Sequence, residues 1–153
     1  MIRHLAARPL TAIGSGDISL PISAARGVLR RELLRAVEET LSLGVAVLDV
    51  TPHADSERLV GEAVQAQRAR DRAIVAVGVP ALPASARPGD PLAQRLPPGY
   101  VQRRIEDALR ATGLDALPLA WLALDPAWPA ARAWPELVGT CARLAREGKV
   151  LAW

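Results

Sequence analysis

Leu48-Asp49-Val50-Thr51-Pro52-His53-Ala54-Asp55-Ser56-Glu57-Arg58-Leu59-Val60-Gly61-Glu62-Ala63 reads as a strand end, a loop and the start of a helix. Immediately before it, Val45-Ala46-Val47-Leu48 is an unbroken apolar run, the pattern of a parallel strand buried on both faces. Asp49 ends that run. Asp55 or Ser56 can cap the helix through a side-chain oxygen, and Glu57 suits its positive end. Leu59, Val60, Ala63 and Val64 form the inward stripe, and the helix is expected to reach about Arg68.

The same strand-then-helix alternation extends in both directions. Upstream, Pro9-Leu10-Thr11-Ala12-Ile13 predicts a weak first strand, and Gly14-Ser15-Gly16-Asp17 a turn. Leu29, Leu33, Val37 and Leu41 recur at a four-residue step, which predicts a helix over 27–43 with Gly44 as its stop. Downstream, Ala73-Ile74-Val75-Ala76-Val77 reads as another buried strand. Residues 79–99 carry six prolines and no periodicity, so they read as a surface loop. Tyr100 opens a helix with Val101, Ile105, Ala108 and Leu109 inward, and Gly113 closes it. The stretch from Leu114 to Pro126 holds a fourth strand. Pro135 fits the first turn of a last helix with Leu137, Val138, Cys141 and Leu144 inward. Repeated strand-helix units with short links imply a parallel sheet with right-handed crossovers.

Composition narrows the function classes. The 153 residues read as one domain, 1–153, and half of them are hydrophobic, enough for a core. With no Phe, that core is built from Ala, Val, Leu and Ile. Lys149 is the only lysine, so 18 of the 19 basic residues are Arg. These arginines alternate with acids, as in Arg103-Arg104-Ile105-Glu106, which marks solvated helix faces and not a nucleic-acid surface. Cys141 is alone, and His4, His53 and Asp49 make no spaced metal-ligand set. There is no signal peptide and no apolar span near membrane length, so a soluble cytoplasmic protein is expected.

The opening stretch resembles the second strand and helix of aldo-keto reductases, F-D-T-A-P-x-Y-G-x-G-x-S-E-R-x-L-G-x-A. Asp49, Pro52, Ser56, Glu57, Arg58, Gly61 and Ala63 match. Gly148-Lys149-Val150 is similar to the opening of that family's fifth strand. The resemblance, of the aldose-dehydrogenase-like branch, implies an α/β fold: the parallel (βα)4 half of a TIM-type (β/α)8 barrel, ending at the start of strand 5. A full barrel needs about 250 residues.

That family reduces carbonyls with NADP(H), using a tyrosine as proton donor, a lysine paired with an aspartate, and a histidine. Only the aspartate has its residue here, Asp49. The tyrosine position falls at Ala54, the lysine position at Gly78, and the histidine position at Ala123 or Leu124. The family binds NADP(H) mainly after strands 7 and 8, beyond this chain, so no cofactor is expected as it stands. His53, in the same loop, is a speculative replacement acid-base. The resulting expectation is a catalytically degenerate scaffold or partner subunit. The alternative is an NADP(H)-dependent oxidoreductase, or a subunit of one, active only after assembly. An open half barrel also exposes strand edges, so a homodimer or a complementary subunit is expected. A small-molecule ligand at the strand C-termini is compatible with either reading.

Overall fold

The computed structural model describes residues 15–18, 28–50, 52–83 and 90–153. Four parallel strands, β1 (Ser15–Ile18), β2 (Val47–Val50), β3 (Ile74–Val79) and β4 (Leu119–Leu122), lie side by side in chain order. Helices α1 (Val28–Ser42), α2 (Ala54–Ala66), α4 (Pro98–Thr112) and α5 (Trp134–Arg146) follow them in turn, with a short α3 (Pro91–Arg95) ahead of α4. Successive neighbours in sequential order are what a barrel-type sheet requires, and the fold is a partial TIM-barrel-like α/β fold. A fifth strand begins as expected. Val150 bridges Leu117 in parallel, and the Ala120 N–H donates to the Ala152 carbonyl at 2.9 Å.

The register separates the two faces of the sheet. Leu48 pairs with Val75, and Val50 with Val77, which pairs in turn with Ala120. These residues meet Leu59, Val60, Ala63, Val101, Ile105 and Leu144 from the helices in one apolar core. Asp49, Ala76 and Leu119 share the opposite face, and two residues further along so do Gly78 and Trp121. All six residues of β3 are buried, as the apolar run required.

Helices α2 and α4 approach closely because Gly61 has no side chain. A Cβ at Gly61 would lie 2.1 Å from the Thr112 carbonyl oxygen. Gly113 then closes α4 in a left-handed turn at φ 65°, as its sequence position predicts.

Several expectations need correction. β1 occupies Ser15–Ile18, where a turn had been expected, while Pro9–Ile13 lies outside the described residues. β2 continues one residue past Asp49 to Val50. The cap of α2 is His53, whose Nδ1 accepts from the Asp55 N–H at 3.3 Å; Asp55 and Ser56 already lie inside the helix. That helix ends at Ala66, and Arg68 turns away with φ 47°. Val138 faces outward, 46% exposed, while Leu137 and Leu144 are inward as expected.

The Pro-rich segment also has structure of its own. Asp90 caps α3 by accepting from the Leu92 N–H at 2.9 Å, and Pro91 supplies the preset first turn. The other oxygen of Asp90 accepts from the Ala133 N–H at 3.0 Å, tying this excursion to the approach to α5. Arg95 lies over the Trp128 ring, 5.3 Å from its centroid, and donates to the Leu82 carbonyl.

Gly61→Ala is expected to destabilise the fold by about 1–3 kcal/mol through overpacking, read from urea denaturation midpoints. An unchanged midpoint would mean that the helices separate freely. Loss of water around the Asp90 carboxyl raises its pKa, but the N–H groups of Ala133, Ala93, Leu92 and Arg132 outweigh this and hold it below the ordinary value of 3.8. Its stabilising contribution is therefore complete above that value and fades as pH falls through the lower folded value. Asp90→Asn should melt below wild type at neutral pH and converge with it in acid. A gap that stays constant across pH would contradict this.

Candidate active-site face

Asp49 projects from β2 one residue before its C-terminal end, on the face away from the helices. Its carboxylate Oδ1 accepts a hydrogen bond from the Trp121 indole Nε1–H at 3.2 Å. Trp121 comes from β4, two strands away, and its ring crosses Gly78 of β3 on the way. A Cβ at Gly78 would lie 2.7 Å from the Trp121 ring. Asp49, Gly78 and Trp121 are thus one packed unit: the glycine makes room, the indole fills it, and the carboxylate takes the indole's N–H. Trp121 remains 39% exposed.

The other sequence-derived positions are distributed around the strand ends. Ala54 is the first residue of α2 and is exposed. Ala123 and Leu124 follow β4 and are also exposed. His53 is exposed, and its Nδ1 accepts the capping hydrogen bond from Asp55. The hydroxyl of Tyr100, the sole tyrosine, donates to the Pro80 carbonyl at 2.8 Å and so fixes the exit of β3.

Lys149, the sole lysine, follows α5 and pairs with Glu106 at 2.9 Å and Glu147 at 3.1 Å. These hydrogen bonds, Glu106 first, raise its pKa above the usual lysine value. The Cys141 thiol is half-buried, and that burial pushes its pKa up to about 11, so it is a thiol and not a thiolate at neutral pH. Among the described residues no group of His, Cys, Asp and Glu side chains could hold a metal ion.

Glu57 does more than favour the positive end of α2. Its side chain is 2% exposed and pairs with Arg104, itself 11% exposed, across the α2–α4 contact. The signal was available: Glu57 stands beside Ser56 in a helix whose next residues inward are Leu59 and Val60. An acid on the buried side of a helix calls for a cation on the facing one.

A lysine at position 78 would have to displace Trp121, and no phenol stands at position 54.

The described architecture is similar to that of solved aldo-keto reductases. The holo form of aldo-keto reductase AKR11C1 from Bacillus halodurans matches with a TM-score of 0.67 and 23% identity, over 93% of this chain and 44% of its own. The thermostable aldo-keto reductase Tm1743, in complex with the inhibitor epalrestat, matches with a TM-score of 0.68 and 17% identity, over 93% and 47%. PA4992, an aldo-keto-reductase-type protein of Pseudomonas aeruginosa, matches at 0.66 and 19%, over 92% and 53%. The chain therefore spans about half the length of the solved structures it matches, and over that half it has their fold. No protein-family model matches the chain. No curated protein sequence matches it either.

Arg104→Met should cost about 3–5 kcal/mol, because it leaves the Glu57 carboxylate buried without a cation. The double variant Glu57→Leu with Arg104→Met should recover most of that loss. Chemical denaturation of the three proteins checks both statements, and a single variant as stable as wild type would show the pair to be dispensable.

Proposed function

We propose that this chain is an aldo-keto-reductase-like protein that does not carry out hydride transfer itself and acts as a scaffold or partner subunit. The observation that supports this most directly is the hydrogen bond from Trp121 to Asp49 over Gly78. Reducing a carbonyl with a phenol needs a nearby cation, because an unperturbed phenol has a pKa near ~10 and is poorly matched to neutral pH. A lysine would supply that cation. An indole N–H is neutral and supplies a hydrogen bond without a charge. Asp49 is therefore held in place by a partner that cannot tune a proton donor.

His53 offers little in compensation. Its Nδ1 lone pair serves the cap of α2, which leaves Nε2 as the nitrogen free for proton transfer on an exposed side chain. Among the described residues no helix is long and apolar enough to cross a membrane. In this reading the protein works in the cytoplasm.

A second reading is an NADP(H)-dependent carbonyl or alcohol oxidoreductase, or a subunit of one, completed by assembly. It is favoured by coverage: the matched structures are about twice as long, so a cofactor site could come from elements outside the matched half. Quenching of the tryptophans during NADPH titration separates the two. The expected result is no saturable quenching up to millimolar NADPH. Saturable binding in the micromolar range would overturn the scaffold reading and move the search for a proton donor to His53.

A further inference from the structure

The face of the sheet turned away from the helices is apolar except at one point. β2, β3 and β4 direct Val47, Ile74, Ala76, Gly78 and Leu119 to it, and of their residues there only Asp49 carries a charge. Elsewhere in the structure acids pair with arginines or with Lys149, but none of the described Lys and Arg side chains pairs with Asp49. Its hydrogen-bond partner is the neutral indole N–H of Trp121. A half-buried carboxylate among apolar residues attracts a counter-charge more strongly than one in open water, because the field around it is less screened.

The indole decides what kind of counter-charge fits. Its N–H lies in the ring plane, so the Asp49 carboxylate that accepts this bond stands at the ring's edge and does not cover its faces. Trp121 is 39% exposed, so part of the ring is open to a ligand. Indole is the best of the aromatic side chains for holding a cation over its face. Accepting the N–H also polarises the ring toward more negative charge, which strengthens that attraction. A cation over the ring near Nε1 therefore feels the indole and the carboxylate together.

The surroundings then select among cations. A primary ammonium brings three N–H donors, and of the β2, β3 and β4 side chains on this face only Asp49 has oxygens to accept them. A quaternary ammonium has no donors to satisfy. Its charge is spread over alkyl groups that suit the neighbouring apolar residues. An anion is repelled by Asp49, and a neutral apolar molecule leaves the carboxylate without a counter-charge.

We propose that Asp49 and Trp121 form a binding site for a small quaternary ammonium compound, seated over the indole and against the carboxylate. No bond is made or broken there. The site needs neither a nicotinamide nor a proton donor, so it goes beyond the scaffold reading and does not rest on it.

Titration of the purified chain with choline, at an ionic strength held constant with NaCl, tests the site. Proton–nitrogen correlation spectra resolve the indole N–H groups of the four tryptophans, and Trp121→Phe identifies the Trp121 signal by its loss. That signal is expected to shift saturably, with a Kd of roughly 1–10 mM. The Trp153 signal, whose N–H donates to the Cys141 carbonyl, should stay in place. Asp49→Asn and Trp121→Leu, each confirmed as folded by circular dichroism, should weaken binding by about tenfold or more, read from broadening of the choline methyl signal. The neutral isostere of choline, 3,3-dimethyl-1-butanol, should give no saturable shift. Failure of the Trp121 signal to saturate by about 100 mM choline would overturn the proposal. So would equal binding of the neutral isostere, or an affinity that Asp49→Asn leaves unchanged. Choline binding together with saturable NADPH binding would leave this site standing and overturn only the scaffold reading.

Discussion

A parallel strand keeps no face for water, and most of this structure follows from satisfying that for β3. Its six residues are all buried, so each side of it needs a cover. On one side the cover is made by α2 and α4, drawn together by the missing side chain of Gly61 and held by the Glu57–Arg104 pair. On the other side the indole of Trp121 lies against Gly78. The first cover is thick, aliphatic and far from any chemistry. The second includes one aromatic ring near the C-terminal ends of the strands, the end at which barrel enzymes hold their substrates. Stability and site are thus coupled through a single strand.

The matched residues of the opening stretch divide along the same line. Glu57, Gly61 and Ala63 are buried in the α2 contact and hold helices together. Positions 54 and 78, which the resemblance associates with proton transfer, carry Ala and Gly. What this chain shares with the enzymes is mostly what builds the layer. Asp49, Pro52 and Arg58 lie outside that contact, and Asp49 has a local partner that gives it a packing role.

Much of the architecture was readable from residue order. The apolar runs at 45–48 and 73–77 lead into β2 and β3 because a parallel strand covered on both faces favours such runs, and the four-residue step from Leu29 to Leu41 is a helix because 3.6 residues make a turn. The Pro-rich segment shows no period because a five-residue helix is too short to have one. Its legible sign was Asp90-Pro91, a cap followed by a preset first turn. His53 as the cap of α2 was hidden because imidazole is an uncommon cap beside an available Asp and Ser. The candidate site was less legible than the fold. Gly78 and Trp121 are 43 residues apart, and only the pairing of β3 with β4 reveals that one fits over the other.

The Gly78–Trp121 fit also limits how this face can be altered. A side chain at 78 meets the indole while Trp121 is present. Shrinking Trp121 first would empty the space above Gly78 and take the hydrogen-bond donor from Asp49. Either single step toward a charged partner for Asp49 lowers stability before it offers any chemistry. A long side chain at 78 and the indole at 121 therefore exclude each other, and exchanging one for the other takes two coordinated substitutions.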